Sequence, residues 1–484
     1  MAVIHEHNSS NSYDSDETLK NSDDNITVMS VDGDVGCPYG KLILLGYNGT
    51  VENCKNCPQD RKHRSKMVLR KRLTGNGIKK DQSSSVVTPL SQHQIVRDVS
   101  RHVVLFSYHR NHTVLVEYSP DPTKDMFQIG RSSEKQIDFT VVDTWLAASP
   151  FSSEAQIEIQ HQNGQLDVYR GGMDAHCCEH RSIPSTISRY ACRIQIDRNY
   201  PHRAFLYAAG FDSSRNIFLG EKATKWTKND GEIDGLTTNG ILILHPKTMQ
   251  KQNSKIGTDN HLAMFAWHEV SVGGDVYNLR ETRSSTRRGE LLTNETNELQ
   301  DGTLIDLCGA TLLWRTAEGL ARSPRRSELE SRLNEINAGK PQCPVNLNTL
   351  IIPRKKSSKM CGSSRQPYVY LSCGHVQGKH SWGKSDKIDS GILYKCPICL
   401  VDSSKVIQLI MGMESAFHLD SDALDYAFNP CGHVASLSTV RYWSRIPLPY
   451  GTNSFYPVCP FCTSLLCMDK PYVKLIFQDH CFDS

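Results

Sequence analysis

Short runs of apolar residues, each bounded by Gly, Asn or Asp, recur along the chain from residue 39 to about residue 314. Within most runs apolar and polar positions alternate, as they do in a strand with one buried face. Regular short strands with this spacing favour two packed sheets over alternating strand and helix units. The pattern therefore predicts a β-sandwich over residues 37–316, built from the runs KLILLGYNG, HTVLVEYS, FQIGRSS, QIDFTVVD, ACRIQID, RAFLYAAG, NIFLGE and NGILILH.

Two polar segments interrupt or precede this pattern. Residues 1–36 are rich in Ser, Asn and Asp and nearly free of aromatic residues. Such a segment buries too little apolar surface to offset the entropy of ordering, so it is predicted to be disordered. Residues from about 144 to 185, rich in Ser, Gln, Gly and His, are predicted to form an insertion, or wing, within the sandwich.

A helical pattern follows the sandwich in residues 317–342. Ser327 and Glu330 have the spacing of a capping box, in which the serine caps the helix and the glutamate reaches back to the cap. The apolar face of the helix is formed by Leu329, Leu333 and Ile336. The pattern predicts one linker helix between the sandwich and a cysteine-rich domain that spans residues 343–484.

The chain has 484 residues, enough for two or three domains with hydrophobic cores. Its formal net charge of +3 and its 22% of charged residues give no reason to expect a nucleic-acid partner or insertion into a membrane. The first residues lack the basic and apolar regions of a secretory signal, and no apolar run approaches the ~18 residues of a membrane-spanning helix. We therefore expect a cytoplasmic protein.

Ten of the seventeen cysteines lie between residue 343 and the C-terminus. In a reducing compartment such a dense group indicates a metal site rather than disulfides. There the motif Cys-Gly-His followed by Cys-Pro-x-Cys occurs twice, and eight ligands in four close pairs are the number that two tetrahedral zinc ions need. The candidate zinc ligands are Cys373, His375, Cys396, Cys399, Cys431, His433, Cys459 and Cys462.

Two ways of pairing these ligands are open. In the sequential arrangement, which we favour, the first four residues bind one ion and the last four bind the other. In the crossed arrangement, ligand pairs are exchanged between the two ions. Both arrangements leave no coordination position for water, so we expect two structural zinc ions and no metal-dependent hydrolysis.

The segments QPYVYLSCGHVQGKHSWG, CPICL, NPCGHVASLSTVRYWSRIPLPYGT and CPFC resemble the Pellino family. The similarity extends upstream to about residue 37 through LRETRS, LYAAGFDSSRNIFLGEKATKW and LQDGTLIDLCGATLLWRTAEGL. The resemblance implies a mainly β protein, in which a forkhead-associated (FHA) like β-sandwich with an inserted wing precedes a small α+β RING-like zinc domain. It also implies an E3 ubiquitin-protein ligase that acts with phosphorylated Pelle/IRAK-type kinases in Toll and interleukin-1 receptor signalling of innate immunity.

The same resemblance implies how such a ligase would work. It would bind a ubiquitin-charged conjugating enzyme and orient the ubiquitin for transfer, with no covalent intermediate on the ligase itself. Candidate contacts to the conjugating enzyme are the apolar residues beside the zinc ligands, Ile398, Pro460 and Phe461. Many RING ligases carry a basic residue directly after the last ligand, and here that position is Thr463.

Three predicted loops contain donors suited to a dianionic phosphate, namely arginine, hydroxyl and amide groups. Because each loop adjoins a predicted strand, we expect all three at one end of the sandwich. The FHA resemblance implies that a phosphothreonine site is formed by Arg131, Ser188, Arg189, Thr238 and Asn239. The arginines and the serine would contact the phosphate, and Asn239, assisted by Thr238, would contact the peptide backbone. FHA domains usually have a histidine where this chain has Ala191, which implies a differently braced loop.

Two other functions remain open. A phospho-dependent scaffold without ligase activity is favoured by the departures at Thr463 and Ala191. Nucleic-acid binding through zinc fingers is disfavoured, because the motifs lack the long Cys-Cys to His-His spacing and the basic recognition helix of that class.

Overall fold

The computed structural model describes residues 36–47, 66–87, 101–109, 112–141, 186–246, 265–339, 341–354, 365–387, 391–450 and 454–478. Residues 1–35 of the predicted disordered segment, and all of the predicted insertion at 144–185, lie outside the described residues. The described part consists mainly of β-strands, so the predicted fold class is confirmed.

The strands of the N-terminal part are short, as the spacing of Gly, Asn and Asp predicts. Their bounds are β1 Pro38–Tyr47, β2 Lys66–Arg70, β3 Gly77–Val87, β4 His102–His109, β5 His112–Asp121, β6 Lys124–Gly130, β7 Phe139–Thr140, β8 Cys192–Asp197, β9 Ala204–Ala208, β10 Asn216–Leu219, β11 Lys225–Thr227, β12 Ile233–Gly235, β13 Ile241–Leu244, β14 His268–Val270, β15 Val276–Tyr277, β16 Leu304–Asp306 and β17 Ala310–Thr316.

These strands form a sandwich around one hydrophobic core. A seven-stranded antiparallel sheet has the order β15-β14-β13-β16-β17-β1-β2. Two four-stranded sheets have the orders β10-β4-β5-β3 and β7-β6-β8-β9, and β11 pairs with β12. The core contains buried side chains from all three large sheets, for example Leu42, Val104 and Ile129. The predicted packing of sheets on a shared core is therefore present.

Both faces of the seven-stranded sheet are buried. Leu312 and Trp314 of β17 point into the sandwich core, whereas Leu313 between them points into a second core. Leu42 and Ile43 of β1 divide in the same way, because successive side chains of a strand point to opposite faces. The second core is completed by the C-terminal part of the chain, which therefore packs directly on the outer face of this sheet.

Two helices, α1 Ala317–Arg322 and α2 Arg326–Ala338, connect the two parts. The predicted capping box is wrong by two residues, because α2 begins at Arg326 and Ser327 lies inside it. Glu328, not Glu330, accepts a hydrogen bond from the backbone N–H of Arg325, at 3.3 Å. Glu330 instead forms ion pairs along the exposed surface of α2.

The C-terminal part combines small sheets with one short α-helix, α3 Leu437–Trp443, and a 3-10 turn, Ser415–Phe417. Its strands are β18 Tyr368–Tyr370, β19 Val376–Gln377, β20 Lys384–Lys387, β21 Gly391–Lys395, β22 Asp402–Ser403, β23 Val406–Gln408, β24 Ile410–Met411, β25 Tyr426–Phe428, β26 His433–Ala435, β27 Leu448–Tyr450, β28 Ser454–Tyr456 and β29 Tyr472–Lys474. None of the helices in the described stretches combines the length and apolar character that crossing a membrane requires.

The contact between the two parts can be tested with adjacent residues of β17. Leu313→Ala removes a side chain from the shared outer core, and Leu312→Ala removes one from the sandwich core. Each change should lower the free energy of unfolding by about 2–5 kcal/mol, because a buried leucine leaves a cavity. Only Leu313→Ala should selectively speed hydrogen exchange of the α3 amides. Equal effects of both variants on α3 would contradict a shared core.

Candidate functional site

Eight cysteine and histidine side chains form two compact clusters in the C-terminal part. The first contains Cys373, His375, Cys396 and Cys399, and the second contains Cys431, His433, Cys459 and Cys462. Within each cluster the four potential ligand atoms lie within 4.8 Å of one another. The grouping is the sequential one, and each cluster could hold a metal ion.

Each Cys-Pro-x-Cys segment forms a tight turn. The amide of Leu400 donates to the carbonyl oxygen of Cys396 at 2.8 Å, and the amide of Thr463 donates to that of Cys459 at 2.8 Å. Leu400 and Thr463 also share a left-handed backbone, with φ of 60° and 61°. The two turns are therefore built alike, and each directs its pair of sulfurs to one point.

Each Cys-Gly-His segment depends on its glycine. Gly374 and Gly432 have φ of 84° and 77°, a region that side chains disfavour. A Cβ on Gly374 would lie 2.3 Å from the carbonyl oxygen of Lys474, and one on Gly432 would lie 1.9 Å from that of Gln408. Glycine is thus required both for the turn and for the close approach of a neighbouring strand.

An exchange of strands joins the two clusters. Residues 406–411 pair first with β18, which precedes the first cluster, and then with His433 of the second cluster. Residues 472–476 do the reverse, since they pair first with β25 and then with His375 of the first cluster. The C-terminal part thus has two halves, one around each cluster, which are built alike. Because each half contributes a strand to the other, neither can unfold without disturbing the other.

Polar groups lie against the cluster sulfurs. Gln377 is fully buried, and its Nε2 donates to Cys396 Sγ at 3.3 Å. Sequence analysis did not single out Gln377, because a buried amide has no spacing signature. Burial raises the pKa of the Cys373 thiol to about 12. A bound cation would reverse this effect, because it favours the thiolate form of its sulfur ligands.

The three predicted contacts to a conjugating enzyme differ in exposure. Ile398 is 39% exposed on the first turn, next to the exposed side chains of Leu400 and Val401. Pro460 is buried, and the Phe461 ring stacks on His433 with ring centroids 5.5 Å apart. The first turn therefore offers an apolar surface, whereas Pro460 and Phe461 mainly pack inside the chain.

The sandwich covers the second turn. Thr463, directly after the last candidate ligand, approaches β1 so closely that a Cβ on Gly46 would lie 2.5 Å from Thr463 Cγ2. Phe461 belongs to the outer core of the seven-stranded sheet, together with Leu45 of β1. The two Cys/His clusters thus have different surroundings, although their turns are built alike.

The three predicted phosphate-binding segments converge. The amide of Arg131 donates to the carbonyl oxygen of Ser188 at 3.2 Å, and Arg131 Nε donates to that of Ile187 at 2.8 Å. Asn239 Nδ2 donates to the carbonyl oxygen of Thr186 at 2.6 Å and to Ser188 Oγ at 3.5 Å. The loops are therefore hydrogen-bonded to one another.

Arg131, Arg189 and Thr238 are exposed on this group of loops. Gly130 allows the close approach, because a Cβ there would lie 2.0 Å from the carbonyl oxygen of Arg189. The Ala191 side chain lies in the sandwich core, 1% exposed. The loops are thus braced by backbone and Asn239 hydrogen bonds, and the arginine side chains remain accessible to an anion.

The Pellino FHA domain family model matches residues 31–332, and the Pellino RING domain model matches residues 336–483. The chain belongs to the Pellino family. Protein pellino of Drosophila melanogaster is 48% identical to it over 445 residues, covering 91% of this chain and 93% of that protein. E3 ubiquitin-protein ligase pellino homolog 2 of Homo sapiens is 45% identical over 441 residues, covering 91% and 95%. Pellino homolog 3 of Mus musculus, also named an E3 ubiquitin-protein ligase, is 44% identical over 447 residues, covering 92% and 91%.

The Pellino resemblance predicted from the sequence is thereby confirmed, as is the order of an FHA-like domain followed by a RING-like domain. The two family models meet between residues 332 and 336, within α2. The Pellino RING segment contains both Cys/His clusters, and the Pellino FHA segment contains all three of the loops predicted to bind phosphate.

Two buried ion pairs beside the predicted phosphate-binding loops of this Pellino chain were not predicted. Arg280 pairs with Glu269 through two hydrogen bonds of 2.9 and 2.6 Å, and both side chains are 2% exposed. Arg283 pairs with Asp306, whose side chain is fully buried. The segment LRETRS contains both arginines, but a sequence does not reveal which of its charges are buried.

Proposed function

We propose that this chain is an E3 ubiquitin-protein ligase that binds phosphothreonine-containing partners through its FHA-like domain. The observation that carries the proposal is the pair of Cys/His clusters with one exposed apolar turn, fixed to a sandwich that presents arginine-bearing loops. Phosphorylated Pelle/IRAK-type kinases are the proposed partners, in Toll and interleukin-1 receptor-type innate immune signalling. Unpaired thiols at all the described cysteines fit a reducing compartment, and we propose the cytoplasm.

Each cluster is proposed to bind one structural zinc ion. Three sulfurs and one imidazole nitrogen within 4.8 Å of one another match a donor set that structural zinc uses. Bound zinc would add to the hydrophobic core of these small sheets, which includes Val369, Ile407 and Val434, by tying together pairs of turns. The residues themselves supply the rest, since Gln377 orients Cys396 and the glycine turns admit the exchanged strands.

The ligase role is proposed to be one of orientation. The apolar surface of Ile398, Leu400 and Val401 would dock a conjugating enzyme, while the sandwich would hold the phosphorylated target. Holding both reactants on one body raises the effective concentration of the target lysine at the ubiquitin thioester. No nucleophile of this chain takes part in the proposed transfer.

Metal analysis tests the zinc proposal. The purified chain should contain two zinc ions per molecule, because the two clusters are separate. Cys431→Ser should reduce this content, and chelation should unfold the C-terminal part because its turns depend on the metal. As a matched control, Cys467→Ser changes an exposed thiol outside both clusters and should retain two zinc ions. Two zinc ions in Cys431→Ser would contradict the ligand assignment.

Ile398→Ala tests the docking surface. Truncation of a central interface residue costs about 2 kcal/mol, so ubiquitin chain formation should fall about 10-fold or more at limiting conjugating enzyme. The zinc content and the melting temperature should not change, because the side chain is exposed. Met468→Ala provides the control, since Met468 is an exposed apolar residue elsewhere in the same domain. Absence of activity in the parent chain with every conjugating enzyme would instead favour a phospho-dependent scaffold.

Arg131→Ala tests the phosphothreonine site. Loss of a hydrogen bond between charged groups costs about 1.5–3 kcal/mol, so phosphothreonine peptides should bind at least about 10-fold more weakly in calorimetry. Arg203→Ala is the control, because Arg203 is an exposed arginine of the same sandwich that pairs with Glu298. Unchanged affinity in Arg131→Ala would show that phosphate binds elsewhere.

A further inference from the structure

The turn between β16 and β17 lies behind the phosphate-binding loops and is hydrogen-bonded to them. Asn239 Nδ2 donates to the carbonyl oxygen of Thr186. Thr186 Oγ1 in turn donates to the carbonyl oxygen of Cys308 in this turn. The amide of Cys308 donates to Asp306 Oδ2 at 3.0 Å. A chain of bonds therefore leads from the side chain of Asn239 to a buried carboxylate.

The same carboxylate reaches Asn239 again by a second route. Asp306 is paired with Arg283, and Arg283 Nη1 donates to the carbonyl oxygens of Asn239 and Gly240 at 3.3 and 3.4 Å. Asp306 also accepts a hydrogen bond from Thr311 Oγ1 at 3.1 Å, which fixes it to β17. The bonds thus form a closed circuit, with one arm on the side chain of Asn239 and the other on its backbone.

The neighbouring pair, Arg280 with Glu269, braces the same turn at a different point. Arg280 Nη2 donates to the carbonyl oxygen of Thr237 at 2.8 Å. Arg280 Nη1 also donates to the carbonyl oxygen of Ser285 at 2.9 Å. The circuit through Asp306 therefore reinforces the direct hydrogen bonds by which Asn239 Nδ2 contacts Thr186 and Ser188.

Leaving the buried Asp306 carboxylate without its hydrogen-bond donors would cost free energy, so these hydrogen bonds resist rearrangement. We propose that Asp306 and Arg283 are positioning residues of the phosphothreonine site, which hold Asn239 and the Ser188 loop in the geometry that binds the peptide. Neither residue needs to touch the ligand. This inference rests on the proposed phosphothreonine binding and adds the residues that prearrange the site.

Asp306→Asn is the principal test, because asparagine keeps the size of the side chain and removes its charge. Phosphothreonine peptide should bind about 10-fold more weakly, within the usual range of coupling between sites. The change should have a clearly smaller effect in an Asn239→Ala background, because part of the action of Asp306 passes through Asn239. General loss of stability would weaken both backgrounds alike, and that result would overturn the proposal.

Two further variants provide a second test of the proposal and a control for nonspecific effects. Arg283→Lys keeps the positive charge but loses the planar fork that reaches both Asp306 and the two carbonyls, so it should also weaken binding. Glu298→Gln removes the carboxylate of an exposed pair with Arg203 and should bind as the parent does. Parental affinity in both Asp306→Asn and Arg283→Lys would overturn the proposal.

Hydrogen exchange in the protein without peptide separates this inference from the proposed function. The amides of Arg131 and Ser132 donate to the Ser188 loop, and the amide of Gly240 closes the Asn239 turn. Asp306→Asn should speed exchange of all three amides together. If the three amides exchange faster in Asp306→Asn but the parent chain binds no phosphothreonine peptide, the proposed function is overturned and the positioning role of Asp306 is kept. If the parent chain binds the peptide but the three amides exchange at the same rate in Asp306→Asn, only the positioning role of Asp306 is overturned.

Discussion

The seven-stranded sheet is buried on both faces, and this burial joins the sandwich to the C-terminal part. Its inner side chains close the sandwich core, and its outer side chains, such as Leu242 and Leu313, form a core with the C-terminal part. Polar contacts complete this interface, since Trp267 Nε1 donates to the carbonyl oxygen of Pro447 at 2.6 Å and Arg315 Nη1 donates to that of Ala416 at 2.5 Å. The Cys/His clusters are therefore fixed to the sandwich and are not joined to it by a helix alone.

The same sheet also carries part of the proposed phosphothreonine site. The turn of Asn239 leads into β13, and the turn of Cys308 joins β16 to β17. These three strands are adjacent in the sheet, and each also contributes an outward side chain to the core shared with the C-terminal part. A phosphorylated target bound at these loops would consequently have a defined position relative to the Cys/His clusters. Catalysis by orientation requires such a defined position.

The sequence predicted the sandwich and the eight ligands because both depend on local patterns. It also contains a signal for the shared core, since LILL at residues 42–45 and ILIL at residues 241–244 are unbroken apolar runs rather than alternating ones. Such runs indicate strands buried on both faces, but they do not identify what covers the second face. Trp443, which helps to cover it, lies more than a hundred residues from Leu313 in the chain. Packing between distant segments is not encoded in any local pattern.

The Cys-Pro-x-Cys turns also combine a backbone shape set by local sequence with ligands supplied by distant strands. The amide of Leu347 donates to the carbonyl oxygen of Cys343 at 2.9 Å, and Leu347 has a φ of 58°, as in the two Cys-Pro-x-Cys turns. Yet Asn346 stands where the second cysteine would be, and neither cluster includes Cys343. The turn therefore follows from its local sequence, whereas a metal site also needs ligands brought by other strands. The sequential pairing depends on those strands, which explains why the sequence left it open.

The two halves of the C-terminal part are built alike, so their surroundings decide what each can do. On the second half, Thr463 approaches Gly46 and Pro460 is buried, which leaves little apolar surface for a partner. On the first half, Ile398 and Leu400 are exposed in the corresponding turn, 39% and 59% respectively. Exposed apolar side chains grouped on one turn are the feature expected of a docking surface. The sandwich therefore makes the surroundings of the two turns different, and this asymmetry is the physical reason for proposing that a conjugating enzyme docks on the first turn.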